Sequence, residues 1–200
     1  MRRKVGCVLL ASLPAWAPGS FAAAIGEPEQ TARFGYALST AQVSVEDPDG
    51  AADDESDIFP WNVVYTDRWL GGFRYWLEGF YQEFTLPASA SYIGQDVERY
   101  GVRLSAQRKI EWIESLQLWA GAGAILSRDS FTKRFTVDSD GFLADVYPDR
   151  DRNHIGVQLD LTSEWSLNRR WDVAGRAYFA PSIGEGVEEL GLSVVFLYTR

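Results

Sequence analysis

The chain has 200 residues, 46% of them hydrophobic, with 28 acidic residues against 19 basic ones and a formal net charge of −9. So acidic a chain is poorly suited to a phosphate backbone, which excludes nucleic acid from the expected partners. One cysteine, Cys7, and one histidine, His154, support neither a disulfide framework nor a thiolate metal centre, and no cofactor or metal is expected.

In chain order, Met1-Arg2-Arg3-Lys4 supplies a positive start, Val5 to Ala17 an apolar stretch, and Ala22 and Ala24 a small-residue cleavage site. This pattern predicts a cleaved signal peptide over 1–24 and a mature chain over 25–200 that forms one domain. Loss of Arg2, Arg3 and Lys4 leaves 16 basic residues against 28 acidic and moves the mature charge to about −12. Cys7 lies ahead of the apolar stretch and goes with the signal, so the mature chain carries no thiol. Pro14 and Pro18 interrupt the stretch, and no later window offers the roughly 20 apolar residues of a transmembrane helix.

Beyond Ile25 the dominant signal is alternation with period two, the mark of strands in a sheet with one apolar face. The first segment sets Phe34, Tyr36 and Leu38 against Arg33, Gly35, Ala37 and Ser39. The second sets Phe59, Trp61, Val63 and Tyr65 against Asn62 and Thr66. In the third, Phe73, Tyr75, Leu77 and Tyr81 oppose Arg74, Glu78 and Gln82, with Trp76, Phe80 and Phe84 on the polar side. The fourth alternates Tyr100, Val102, Leu104 and Ala106 with Arg99, Gly101, Arg103, Ser105 and Gln107. The fifth alternates Leu116, Leu118, Ala120, Ala122, Ala124 and Leu126 with Gln117, Trp119, Gly121, Gly123 and Ser127. Ile155, Val157, Leu159 and Leu161 oppose His154, Gly156, Gln158, Asp160 and Thr162 in the sixth. The seventh places Val173, Ala177 and Phe179 opposite Asp172, Arg176 and Tyr178. The eighth places Leu190, Leu192, Val194, Phe196 and Tyr198 opposite Gly191, Ser193 and Thr199.

Alternation alone does not say which face points inward, so the minority face decides. Arg74, Glu78, Arg99, Arg103, Asp160, Asp172 and Arg176 carry both signs at matching depths, beside glycines that leave room for long side chains. That is the content of a narrow lumen plugged by ion pairs. Connections after the second, fourth and sixth segments (Asp67 to Gly72, Ile110 to Ser115, Ser166 to Arg170) are short, whereas those after the first, third and fifth (Glu46 to Asp57, Pro87 to Asp96, Arg128 to Asn153) are long. Short periplasmic turns and long outer loops show this asymmetry. Trp69, Trp112, Trp165 and Trp171 flank the three short turns, as an interfacial belt would. The expected fold is therefore all-β, an eight-stranded antiparallel up-and-down transmembrane β-barrel in an outer membrane, too narrow to act as a diffusion porin.

The last segment, Leu190-Gly191-Leu192-Ser193-Val194-Val195-Phe196-Leu197-Tyr198-Thr199-Arg200, is similar to the terminal recognition strand of outer-membrane barrels. With the strand count, it makes nearly the whole mature chain resemble the small eight-stranded barrels of the outer-membrane protein A transmembrane domain and outer-membrane protein X type. Those proteins usually finish on an aromatic residue, whereas Thr199 and Arg200 follow Tyr198 here. The resemblance implies the barrel-assembly machinery as a partner during biogenesis. It also implies outer-membrane lipid and lipopolysaccharide as neighbours, and a structural or surface-interaction role without enzymatic activity.

Four local features bear on function. The loop run Glu46, Asp47, Asp49, Asp53, Asp54, Glu55 and Asp57 has the oxygen donors of a divalent-cation site, although such a run is ordinarily a solvated loop. Asp138-Ser139-Asp140-Gly141 opens like a calcium loop but lacks the closing Glu and reads as a turn. Ser127 and His154 fall opposite each other if the hairpin between them is symmetric. With Asp129 or Asp151 they leave open a lipid A-modifying enzyme, as the same strands leave open a soluble periplasmic ligand-binding barrel. Finally, Phe131, Lys133 and Phe135, then Phe142, Ala144 and Val146, extend the hairpin outward and offer strand edges to a surface ligand.

Overall fold

In a chain with two-sided alternation and no long apolar helix, backbone hydrogen bonds can be satisfied only between strands, and the strands form a closed ring. A computed structural model describes residues 32–51, 55–68, 70–111, 117–181 and 187–199. The expected signal segment over 1–24, with Trp69 and Trp112, lies outside the described residues. The elements are β1 (Arg33–Asp47), β2 (Gly50–Ala51), β3 (Glu55–Ile58), β4 (Trp61–Arg68), a 3-10 turn (Leu70–Gly72), β5 (Phe73–Leu86), β6 (Gly94–Ile110), β7 (Gln117–Val137), β8 (Leu143–Val146), β9 (Arg150–Ser166), β10 (Trp171–Ala180) and β11 (Val187–Thr199).

The ring runs β1-β4-β5-β6-β7-β9-β10-β11, with every pairing antiparallel, and closes between β11 and β1 from Arg33↔Thr199 to Val45↔Val187. These are the eight expected strands in their expected order. The additional β2 and β3 pair with β1, and β8 pairs with β7, so all three lie on the side of the long connections.

Burial is inverted relative to a water-soluble barrel. Arg74, Glu78 and Arg103 have no exposed surface, whereas Ile155 is 75% and Val63 64% exposed. A closed barrel with charged side chains inside and aliphatic ones outside has lipid, not water, around it. The outward residues of β9 mark the extent of that band, from Ile155 through Val157, Leu159 and Leu161 to Trp165. Ten residue steps of about 3.3 Å each, tilted by roughly 40°, span ~25 Å, the height of the apolar band of such barrels.

Toward the long connections both faces change character together. The outward residues become Glu83 on β5, Glu98 on β6, Arg128 on β7, and Asn153 and Asp151 on β9. Inside, the ionic lumen gives way to a cluster of Ala41, Val43, Val45, Ile58, Phe84, Leu86, Val97, Phe131 and Val187. Above the band the strands therefore form an ordinary water-soluble barrel with an apolar core. β7, at 21 residues, is about twice as long as a spanning strand needs to be, which is why it reaches so far beyond the band.

Glycine in the lumen serves a narrower purpose than room for arginines. A Cβ on Gly121 would stand 2.4 Å from Asp160 Oδ1 and 2.6 Å from Gln107 Cγ, so the space that it leaves holds those two side chains. One further irregularity matters. Lys133 has φ 52°, in the left-handed region, where the register between β6 and β7 shifts from Asp96↔Thr132 to Gly94↔Phe135. The extra residue on β7 is a bulge. It turns Arg134 inward where unbroken alternation from Phe131 would have turned it out.

The band makes a direct prediction. Leu159→Arg, on the lipid face, should lower unfolding free energy in phospholipid vesicles by about 2–4 kcal/mol, while Asn153→Arg, the first outward position above the band edge, should change it by less than about 1 kcal/mol. Equal effects in a denaturant titration would misplace the band.

Candidate functional site

The lumen is lined by inward side chains from all eight ring strands, and ion pairs link them in two chains. At the short-turn end, Arg33 Nη1 donates to Glu164 at 3.0 Å and to Asp172 at 3.1 Å, and Arg74 Nη1 donates to the same Glu164. Arg74 Nε also donates to Gln107 Oε1 at 2.6 Å, and its guanidinium lies 4.2 Å from the centre of the Trp119 ring. Higher in the barrel, Glu78 accepts from Arg103 at 2.6 Å and from Arg176, which also donates to Asp160 at 3.0 Å. Arg103 continues to Glu189 at 2.8 Å, Glu189 accepts from Arg99 at 3.3 Å, and Arg99 Nε donates to Asp129 at 2.9 Å. Tyr178 and Gln82 each complete Glu189 with a 2.6 Å hydrogen bond. Arg103 also stacks 3.9 Å from the centre of Phe80.

All seven residues proposed for the lumen, Arg74, Glu78, Arg99, Arg103, Asp160, Asp172 and Arg176, lie there. Of their partners, sequence reading put Arg33 on the polar face without a role and Asp129 only beside Ser127 and His154, and it missed Glu164 and Glu189. Glu164 lies two residues beyond Thr162 and Glu189 one residue before Leu190, both on the inward parity of strands whose ends were drawn too short. Extending the alternation by a single step would have found them. Pairing is obligatory, since an isolated charge buried at this depth costs several kcal/mol.

The aromatic belt is broader than tryptophan. Trp165 lies outward over Gly175, and Trp171 packs on Tyr198 with ring centres 5.1 Å apart. Phe34, Tyr65 and Tyr75 continue the belt at 4.8 and 5.7 Å, with Tyr75 hydroxyl donating to Tyr65 hydroxyl at 3.2 Å.

Ser127 and His154 are directly opposed in register, as hairpin symmetry required. Ser127 Oγ, however, donates to Asp129 Oδ1 at 2.8 Å, an oxygen that Arg99 also engages. Among the described residues no hydrogen bond joins Ser127 to His154. The pair thus lacks the nucleophile-to-base contact that activates a serine. In the acidic loop, Arg134 binds Asp47 at 2.7 and 2.8 Å and Asp49 at 2.6 Å, so those two carboxylates share one guanidinium. No group of three or more His, Cys, Asp or Glu side chains suited to a metal ion occurs among the described residues. Asp138 closes its turn by accepting from the amides of Asp140 and Phe142, each at 2.9 Å.

Arg134 also donates to Gln95 Oε1 at 3.2 Å and to the Pro148 carbonyl at 2.8 Å. One buried guanidinium thus clasps the β1–β2 loop, the start of β6 and the base of the β8–β9 connection over the apolar cluster. Above this clasp, the upper part of β7 and β8 form an arm. Phe142, Leu143 and Val146 on it are 71%, 63% and 71% exposed, and residues 135–149 hold four aspartates and no basic residue. β8 pairs on one side with β7, and no described strand takes its other edge. At the root of the arm, Lys133 Nζ lies 2.7 Å from Asp96. Hydrogen bonds from Lys133 and then Thr85 push the Asp96 carboxyl below its usual range. The contact is therefore present at neutral pH and lost as acid titrates through that depressed value.

Family models and curated proteins give no match to this sequence. Solved structures do. The chain superposes on neisserial surface protein A with TM-score 0.59 and 14% identity, over 84% of this chain and 97% of that one. It superposes on Ail, the attachment invasion locus protein of Yersinia pestis, with TM-score 0.53 and 12% identity, over 86% and 99%. The fold is that of the small outer-membrane β-barrels. In such barrels the short turns face the periplasm and the long connections, here those that carry the arm and the Arg134 clasp, face outward.

Arg103 offers the clearest test of the lumen. Arg103→Met leaves Glu78 and Glu189 each short of a cation and should cost about 3–5 kcal/mol in vesicle unfolding, much of it recovered by adding Glu189→Gln. A loss under about 1 kcal/mol would mean that the ionic chain does not hold the barrel.

Proposed function

We propose that the protein is a non-enzymatic barrel of the Gram-negative outer membrane, exported by its 1–24 signal segment, that acts through surface interaction at its extracellular arm. The observation that carries this reading is the arm itself. Three large apolar side chains stand in water at the tip of an ordered, strand-paired hairpin, where an exposed apolar patch ordinarily marks a binding surface. The free edge of β8 adds main-chain donors and acceptors, the means by which strand addition recruits an extended partner.

A role in diffusion is disfavoured by the same geometry. The lumen is filled by ion pairs within the band, by the apolar cluster above it and by Arg134 at the mouth, so a solute would have to displace all three. Lipopolysaccharide and phospholipid are its expected neighbours, and the barrel-assembly machinery its partner during insertion. Ail, which shares the fold, bears a name that refers to attachment and invasion; the reading for this chain rests on its own arm.

The test uses intact cells displaying the full chain. Replacing Phe142, Leu143 and Val146 together by Ser should reduce attachment to a cultured cell layer severalfold, with surface abundance and the mobility shift on boiling unchanged. Attachment equal to wild type would reduce the arm to decoration. A steady conductance of the wild-type protein in planar bilayers would overturn the sealed lumen.

A further inference from the structure

The two ends of the barrel carry opposite charge. On the extracellular side, Glu83, Glu98, Asp138, Asp140, Asp145 and Glu188 are all exposed. On the periplasmic rim the exposed charged residues are mostly basic: Arg68, Arg108, Lys109, Arg169 and Arg170. The acidic residues described on that rim are Asp67, Glu111 and Asp172, of which Asp172 is held by Arg33.

These basic side chains sit at a particular height. Arg108 is the next outward position after Tyr100, Val102, Leu104 and Ala106 on β6 and the first charged one, with Ile110 one step further on the same face. Its guanidinium lies 5.6 Å from the centre of the Phe73 ring, an aromatic residue of the same edge. Arg169 and Arg170 occupy the turn between the two belt tryptophans, Trp165 and Trp171. That turn is held by Asn168 Oδ1, which accepts from Arg170 N at 2.9 Å and Trp171 N at 3.1 Å. The Arg170 carbonyl accepts from Thr199 N at 2.9 Å, which ties the turn to β11. Basic side chains thus stand among the rings of this edge, from where long stems can carry their charged heads to the lipid phosphates.

We propose that this rim is a binding surface for anionic phospholipid headgroups of the periplasmic leaflet, with Arg108 forming one contact and Arg169 and Arg170 another, while Lys109, on the lumen-side parity of β6, adds positive charge at the mouth. Guanidinium groups suit the geometry, because their planar fork matches phosphate oxygens. The turn adds to it by presenting two of them from a backbone already held in place. The opposite end is acidic overall, and its exposed Arg128 and Lys133 are held by Asp151 and Asp96, so the charge distribution matches the barrel to the two leaflets and favours one orientation. The proposal rests on the membrane band and is independent of any role of the arm.

The experiment is native mass spectrometry of the full barrel released from detergent micelles that contain equimolar phosphatidylglycerol and phosphatidylcholine. Wild type should retain phosphatidylglycerol preferentially, since each basic residue near an anionic surface favours it by about fivefold. The variant Arg108→Gln/Lys109→Gln/Arg169→Gln/Arg170→Gln should lose that preference by at least about fivefold while keeping its mobility shift on boiling. Arg128→Gln/Lys133→Gln, at the other end, should keep the preference. An equal preference in the four-residue variant, or none in wild type, overturns the proposal, as does displacement of the lipid by inorganic phosphate at the same concentration. Loss of the boiling shift in wild type would instead overturn the membrane band.

Discussion

The pairing of β1 with β11 is the interaction on which the rest depends. In hydrocarbon an unpaired backbone amide or carbonyl has no water to turn to and costs several kcal/mol, so a sheet can enter a bilayer only without edges. Residues 33–45 and 187–199 meet over their whole length and remove both edges at once. With the ring closed at eight strands, the interior is only as wide as the side chains that fill it. Every inward residue must then find its partner among other inward residues.

That confinement accounts for the content of the lumen. Glu78, Glu164 and Glu189 each face two arginines, and Arg33, Arg99, Arg103 and Arg176 each face two acids. Withdrawing a shared member such as Glu164 or Arg103 leaves its neighbours short of opposite charge, so the network acts less as a source of net stability than as a constraint on which arrangement is tolerated. Aromatic rings at Trp76, Trp119, Phe80 and Tyr178 supply the faces on which the guanidinium planes lie. Outside the lipid the requirement disappears, and the interior reverts to Val, Ile, Leu and Phe while the exterior becomes polar.

A sealed interior moves function to the two ends. The extracellular end presents an acidic arm with apolar side chains at its tip, raised on strands that overshoot the band and steadied by the Lys133 bulge, which swings Arg134 into the mouth. The periplasmic end presents basic side chains among interfacial aromatics. One closed scaffold thereby offers chemically opposite surfaces to two different environments.

Much of this was legible in the sequence, because alternation is local: whether Arg74 or Tyr75 points inward follows from the pleat of its own strand. The eight strands, the side of each residue, the unequal connections and the turn at Asp138 are all properties of short stretches. Pairing is not. Arg33 and Glu164 are 131 residues apart, and only the register of the closed ring brings them to one height. The apolar cluster was hidden for a related reason, since Val43, Val45 and Val97 lie on the inward parity of their strands, yet nothing local shows that the interior turns apolar at their height. Arg134 was hidden because a single inserted residue reverses the parity of everything beyond it. By itself the sequence determined the strands, their two faces and the unequal ends; the tertiary structure alone decided which charges neutralise which and where lipid stops, because both depend on stagger between strands far apart in the chain.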